Sequence, residues 1–279
     1  MKIFVIGAGA MGSGIAQCFA AQNQVVLCDI SMEYSQNGIS KIKSGLDRMV
    51  SKGKMEAEQA ANLVANLTPS ASYQDAADCD LVVEAAIENM EIKKKVFQEL
   101  DNICRPDTIL ATNTSALSIT EIAAATSRPD KVIGMHFFNP APVIKLIEVV
   151  RGMDTSDETF NFVEKVSKDL NKAPVAVVDY AGFIVNRILF PMLNEAVSTY
   201  ADGVASIEDI DTGMKLGTNH PMGPFELLDL VGIDIAVAIL DTLYRELGNQ
   251  KYCPHPLLRK MVRAGKLGRK TGVGFYNYK

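Results

Sequence analysis

Basic residues are outnumbered, cysteines are few and histidines fewer, and each shortage removes a class of function. Lys and Arg total 28 against 33 Asp and Glu, a net charge of −5. A polyanion binder is ordinarily basic, so nucleic acid is not an expected partner. The five cysteines are Cys18, Cys28, Cys79, Cys104 and Cys253. Their number is odd and no two have C-x-x-C spacing. That speaks against a disulfide framework and against a zinc site, and it fits a reducing, cytoplasmic compartment. No apolar run approaches the ~18 residues of a membrane-spanning helix, so no membrane partner is expected. Hydrophobic residues make up 48% of the 279, enough to exclude global disorder. The length fits one large or two modest domains. The first residues combine a Lys with an apolar stretch, as a signal peptide does, but glycines at ordered spacing interrupt it and have a better explanation.

Residues 2–6, Lys-Ile-Phe-Val-Ile, form an apolar run suited to a central parallel strand. They run into Gly7-Ala8-Gly9-Ala10-Met11-Gly12, a G-x-G-x-x-G placed between a strand and a helical pattern over 13–21. In such a turn the first glycine permits the bend and the second lets backbone approach a pyrophosphate. The third allows close helix packing, and the helix N-terminus offers N–H groups to phosphate. A second strand, 24–29, ends in Asp29. That acid lies 20 positions after Gly9, the spacing at which a carboxylate meets the adenosine ribose hydroxyls. No Arg follows it to accept a 2′-phosphate, which favours NAD over NADP. The cradle therefore comprises Gly7, Gly9, Ala10, Met11, Gly12 and Asp29.

Residues 36–66 read as helices. Between 41 and 54, Lys41, Lys43, Arg48, Lys52 and Lys54 face only Asp47, a charge run that is either a solvated face or a dock for an anion. Strands follow over 79–86, 108–113 and 131–138, with a helix over 89–100. Ligands of such sheets gather beyond the C-terminal strand ends. Glu84, Glu88, Asn113, Ser115 and His136 all lie at or just past those ends.

Of the three histidines, His220 and His255 each precede a proline in turn-like segments and read as surface or capping residues. His136 ends a strand. Asn139-Pro140-Ala141-Pro142 is a turn, and 143–150 reads as the returning strand. A reversal centred on position 142 sets Glu148 opposite His136, with Ile144 and Leu146 on the face of Glu148. An imidazole able to exchange a proton near neutral pH, oriented by a carboxylate, is what alcohol–ketone redox chemistry needs beside a nicotinamide. No metal-ligand cluster or cysteine nucleophile motif offers a competing chemistry.

After Gly182 the α/β rhythm stops. Helices are predicted over 184–200, 207–216, 224–247 and 257–264, with Pro191 kinking the first or marking its first turn. The 224–247 stretch is too apolar for a surface helix and is expected to be buried, partly against a second subunit. The expected architecture is a Rossmann-type doubly wound α/β sheet over 1–182, with a helical arm near 36–66. An all-helical domain for substrate and dimerisation follows over 183–279.

Seven blocks carry a family resemblance: GAGAMGSGIAQ, EAAIENMEIK, TNTSALSIT, MHFFNPAPVIKLIEVV, GFIVNR, NHPMGPFELLDLVGID and GRKTGVGFYNY. In that order they resemble the short-chain (S)-3-hydroxyacyl-CoA dehydrogenases over essentially the whole chain. The resemblance implies hydride transfer between NAD(H) and an acyl-CoA substrate. Resemblance to the family's bacterial four-carbon members implies 3-hydroxybutyryl-CoA and acetoacetyl-CoA, with reduction in butyrate or fatty-acid metabolism. It implies that His136 is the base and Glu148 its partner, and that Ser115 lies near substrate and nicotinamide. Asn186 would hold the substrate oxygen. Glu88, Lys93, Asn139 and Lys270 would contact the cofactor, and Lys52 and Lys54 would bind CoA. A homodimer or higher homo-oligomer through the helical domain is also implied. Ala181 stands where the family usually has Pro, and Ala116 where it often has Ser. Two rival readings are a dehydrogenase of free 3-hydroxy acids and a non-catalytic NAD-binding relative.

Overall fold

The computed structural model describes all 279 residues, which divide into two compact units, Met1–Tyr180 and Ala181–Lys279. The first unit opens with β1 (Lys2–Ile6), α1 (Ala10–Ala20), β2 (Gln24–Cys28), α2 (Met32–Ser51), α3 (Ala57–Ala65) and β3 (Leu67–Ser70). It continues with β4 (Leu81–Glu84), α4 (Met90–Ile103), β5 (Ile109–Thr112), α5 (Ile119–Ala123) and β6 (Val132–Phe137). It closes with β7 (Leu146–Arg151), α6 (Asp157–Asp169) and β8 (Ala173–Val178). The eight strands form one sheet in the order β3-β2-β1-β4-β5-β6-β7-β8. Neighbours are parallel from β3 to β6, β7 runs antiparallel to β6, and β8 parallel to β7. The first six make the doubly wound order 3-2-1-4-5-6, whose switch point lies between β1 and β4.

Central strands β1, β4, β5 and β6 are buried along almost their whole length, as helices on both faces require. The two edge strands, β3 and β8, carry Pro69 and Pro174. Proline cannot extend a ladder on its N–H side, so it suits an edge. Phe4, Phe19, Leu27, Leu81, Phe97 and Phe137 are among the largest fully buried side chains.

Several elements differ from the sequence-based expectation. The first helix begins at Ala10 rather than Ser13, because Gly9 (φ −70, ψ −170) caps it directly after the glycine turn. Residues Val143–Lys145 are not strand. Val143 and Ile144 both donate to the Pro140 carbonyl at 3.0 Å, and Lys172 Nζ donates to the carbonyls of Ala141 (2.5 Å) and Ile144 (2.8 Å). The turn is thus held by a side chain, and Ile144 does not share a strand face with Glu148. β3, α6 and β8 were not expected.

The second unit contains α7 (Val185–Ala201), α8 (Ile207–Gly217), α9 (Pro224–Val231), α10 (Ile233–Leu247) and α11 (Pro256–Arg263). The expected single helix over 224–247 is two, because Gly232 at φ 107 closes one and opens the next. A φ that positive is open to glycine at little cost. Leu228, Ile233, Leu240 and Leu258 lie at the core of this unit, while Leu230 and Ile235 are exposed. Pro191 sits inside α7 rather than in its first turn.

Candidate active site

The glycine turn has three distinct steric environments. Gly7 has φ 94, and a Cβ there would lie 2.5 Å from the Ala85 carbonyl oxygen. A Cβ on Gly12 would lie 1.7 Å from the Gly7 carbonyl oxygen. Both glycines are therefore required by close backbone packing. Gly9 faces open space, with nothing within 4 Å of its would-be Cβ. No side chain caps the N-terminus of α1, where Ala10 and Met11 begin the helix. Open room above a glycine, at an uncapped helix N-terminus, fits a dinucleotide pyrophosphate. Asp29 closes the cradle: its carboxylate accepts from Ala8 N (2.6 Å) and Ile30 N (2.7 Å), tying the end of β2 to the turn.

A second group stands past β4 and β5. Glu88 is 41% exposed, and its Oε1 accepts from Thr114 Oγ1 at 2.6 Å, Ser115 N at 2.9 Å and Ser115 Oγ at 3.2 Å. Burial would raise the Glu88 carboxyl. The nearby Lys93 ammonium, the Thr114 hydroxyl and the Ser115 N–H outweigh it and hold the group below its ordinary value. Lys93 is itself 1% exposed, with its ammonium 2.7 Å from Glu84 and 3.4 Å from Glu88. The family resemblance assigns Lys93 to the cofactor; its side chain is buried behind Glu88.

The third group is the pair expected across the ladder. His136 and Glu148 are register partners in the antiparallel β6–β7 pairing. His136 Nδ1 lies 2.7 Å from Glu148 Oε2, and the two side chains are 7% and 1% exposed. A buried carboxylate needs such a partner. The Phe138 ring lies beside the imidazole, 4.5 Å between centroids. Asn113 Oδ1 accepts from Phe137 N at 2.8 Å and pins the end of β6 to the end of β5. Phe138 was not singled out from sequence; Asn113 was placed at a ligand-side strand end, without a role. Asn139 is exposed and precedes Pro140 through a cis peptide bond.

Lys52 and Lys54 are exposed just past the C-terminal end of α2. In the second unit, Gly182 (φ 75) and Phe183 (φ 52) bend the chain into α7, whose first turn carries Asn186, 8% exposed. Lys270 pairs with Asp234 at 2.6 Å beside the Gly232 break. His255 caps α11, accepting from Leu257 N at 3.2 Å, and His220 is half-buried. The five cysteines are unpaired. Burial pushes the thiols of Cys28 and Cys104 up to about 11 and that of Cys79 to about 12, which keeps them un-ionised and poor nucleophiles. No three His, Cys, Asp or Glu side chains converge as metal ligands, and no helix is long and apolar enough to cross a membrane.

Two family models match the chain. Residues 2–180 match the 3-hydroxyacyl-CoA dehydrogenase NAD binding domain, and residues 182–278 match the 3-hydroxyacyl-CoA dehydrogenase C-terminal domain. A 3-hydroxybutyryl-CoA dehydrogenase of Clostridioides difficile is 54% identical over 279 residues, spanning 100% of this chain and 99% of that one. The human mitochondrial hydroxyacyl-coenzyme A dehydrogenase is 44% identical over 290 residues, spanning 99% and 91%. The crystal structure of (S)-3-hydroxybutyryl-CoA dehydrogenase from Ralstonia eutropha superposes with a TM-score of 0.96 at 48% identity, covering 100% and 99% of the two chains.

Proposed function

The chain belongs to the 3-hydroxyacyl-CoA dehydrogenase family, and we propose that His136 and Glu148 carry the proton chemistry of its reaction. It is an NAD-dependent oxidoreductase that interconverts 3-hydroxyacyl-CoA and 3-ketoacyl-CoA. The observation that carries the assignment of the pair is their buried contact of 2.7 Å at the ligand end of the sheet.

The glycine turn, Asp29 and Glu88 would hold the dinucleotide, with Lys93 behind Glu88, and Asn139 and Lys270 complete the cofactor set implied by the family pattern. The bound dinucleotide supplies the hydride acceptor or donor. His136 handles the proton. With Nδ1–H directed to Glu148, Nε2 takes the proton of the substrate's 3-hydroxyl as C3 is oxidised. Glu148 then faces an imidazolium and stabilises its charge. In the reverse sense the imidazolium returns the proton to the ketone oxygen. In the family pattern Ser115 and Asn186 would hold that oxygen, so that its position is set before the proton moves.

The four-carbon acyl chain is proposed from the relatives named for 3-hydroxybutyryl-CoA, and the reductive direction from the family resemblance alone. A homodimer through the helical unit is supported by the exposed apolar side chains of Ile188, Leu230 and Ile235, and light scattering of the purified protein reads it. Five unpaired cysteines support a cytoplasmic location, which fractionation would test. The test of function is NADH oxidation with acetoacetyl-CoA against free acetoacetate. Turnover that needs the CoA ester is expected. Equal turnover of the free acid would favour a free-acid dehydrogenase, and none with either would favour a non-catalytic NAD binder.

Two further outcomes belong here. Changing Lys52 and Lys54 together to Ala is expected to raise KM for the acyl-CoA several-fold with kcat little changed, the mark of uniform binding. The effect should shrink as salt rises; an unchanged KM at low salt would make these lysines a solvated face. Asp29→Ala is expected to narrow the NADH-over-NADPH ratio of kcat/KM by roughly tenfold, because a carboxylate repels a 2′-phosphate. A wild-type enzyme that prefers NADPH would overturn that account of Asp29.

A further inference from the structure

Glu84 ends β4 at the switch point, in register with Ile6 of β1 and Thr112 of β5. Its side chain is fully buried, where an isolated charge is not tolerated. Three donors converge on it in four hydrogen bonds. Lys93 Nζ reaches both oxygens, at 2.7 and 2.9 Å. Thr112 Oγ1 donates at 2.7 Å, and Ala86 N donates at 2.7 Å. Lysine is rarely buried unless paired, and Lys93 is drawn inward from α4 by this carboxylate.

The same ammonium sits 3.4 Å from Glu88 Oε2. Glu88 stands on the loop between β4 and α4, and its other oxygen holds Thr114 and Ser115. The chain of contacts therefore runs from the buried Glu84 through Lys93 to Glu88, and from there to the loop after β5. Glu88 is bound on one side by a cation and on the other by three donors, so both of its oxygens are held only while Lys93 stays in place. Nothing but Glu84 neutralises Lys93 from within the sheet.

We infer that Glu84 is a positioning residue of the cofactor and substrate site: it anchors Lys93, which orients Glu88 and through it the Thr114–Ser115 loop. This rests on the reading of Glu88 as a cofactor contact, and it adds a group that touches neither cofactor nor substrate. Its consequence is that removing the charge of Glu84 weakens dinucleotide binding through Glu88.

The test is calorimetric titration of NADH into the full-length apo protein, independent of turnover. Glu84→Gln keeps the size but sets an amide NH₂ against donors and leaves Lys93 half-neutralised. The Kd for NADH is expected to rise about tenfold, the worth of a charge-assisted contact. Adding Glu84→Gln to Glu88→Gln should change little more, because Glu84 acts through Glu88. A pH series supplies a second readout. The charged groups around Glu88 are Lys93 and, behind it, Glu84. Wild-type Glu88, held below its ordinary value, stays ionised until the pH falls through that lowered value. Glu84→Gln removes a neighbouring negative charge, which by itself favours an ionised Glu88, so NADH affinity that begins to fall at a higher pH than in wild type marks displacement of Lys93 from Glu88, and affinity that falls at the same or a lower pH overturns the positioning role.

If Glu84→Gln does not fold, the double variant Glu84→Gln with Lys93→Met removes both buried charges and restores a neutral interior. Its thermal midpoint should approach wild type while NADH binding stays weak. Wild-type NADH affinity in Glu84→Gln or in that double variant, with Glu88→Gln weakened, overturns the positioning role and leaves the Glu88 reading intact. Wild-type affinity in Glu88→Gln overturns the Glu88 reading and this proposal with it.

Discussion

Replacing Glu148 with Gln is expected to lower kcat by about 10²–10⁴, as much as replacing His136 with Gln. That range corresponds to ~2.7–5.4 kcal/mol of barrier at 1.36 kcal/mol per tenfold. The reason is the geometry of the pair. Glu148 Oε2, 2.7 Å from Nδ1, can only accept, so it keeps the ring proton on Nδ1 and leaves Nε2 to exchange with substrate. A Gln at 148 presents either a carbonyl or an NH₂ to Nδ1. The NH₂ arrangement selects the other tautomer, and neither arrangement offers the charge that stabilises an imidazolium. The double variant should be little worse than either single, because the two side chains act as a unit. The Kd for NADH should stay within about twofold, since neither residue belongs to the glycine turn. Steady-state kinetics of the three variants decide the matter. A Glu148→Gln enzyme with near-normal kcat would make Glu148 a buried structural acid and leave His136 to work alone.

The pair was legible in sequence because a short turn fixes register. A reversal centred on residue 142 pairs 136 with 148, and the ladder observed is that one. It holds although Val143–Lys145 belong to the turn, because the turn simply widens symmetrically about the same centre. The strand–glycine–helix–strand–acid run over 2–29 was legible for a similar reason: its signals are local and sequential. α6 was missed yet is written plainly. Ser156 caps it, Asp157 and Glu158 lie in its first turn, and Val163 and Val166 mark its buried face. β3 and β8 were not legible, because each is an edge strand carrying a proline, which in sequence argues against a strand. The Gly232 break was hidden by apolar residues on both sides. The role of Glu84 was hidden further. It depends on a lysine turning inward: helical spacing puts Lys93 on the stripe of Val96, Phe97 and Leu100, apart from the exposed or half-exposed Lys94 and Lys95, but a lysine on an apolar stripe ordinarily reaches out to water.

Gly9→Ala and Gly12→Ala, one methyl group each and three residues apart, are expected to fail in different ways. A Cβ on Gly12 would stand 1.7 Å from the Gly7 carbonyl oxygen, well inside contact distance. Relief requires α1 to move away from the sheet or Gly7 to leave its turn, and Gly7 is itself wedged against Ala85. Overpacking of this kind against rigid backbone costs about 3 kcal/mol. At ~2–4 °C per kcal/mol for a chain of this size, Tm should fall by roughly 6–12 °C. NADH binding should be lost with it, as the turn opens. Gly9 is different. Its φ of −70 and ψ of −170 are open to alanine, and its would-be Cβ has nothing within 4 Å. Gly9→Ala should therefore fold with Tm within a few degrees of wild type, the loss being about that of a poorer N-cap. The added methyl instead occupies the room through which a pyrophosphate reaches the N-terminus of α1. The Kd for NADH should rise by about tenfold or more, the worth of a displaced charge-assisted contact, with Asp29 and the fold intact. Thermal melting and NADH titration of the two variants read the distinction directly. If Gly9→Ala binds NADH as tightly as wild type, the open space above Gly9 is not where the dinucleotide lies. If Gly12→Ala melts normally, the close approach of α1 to the turn is not what holds it in shape.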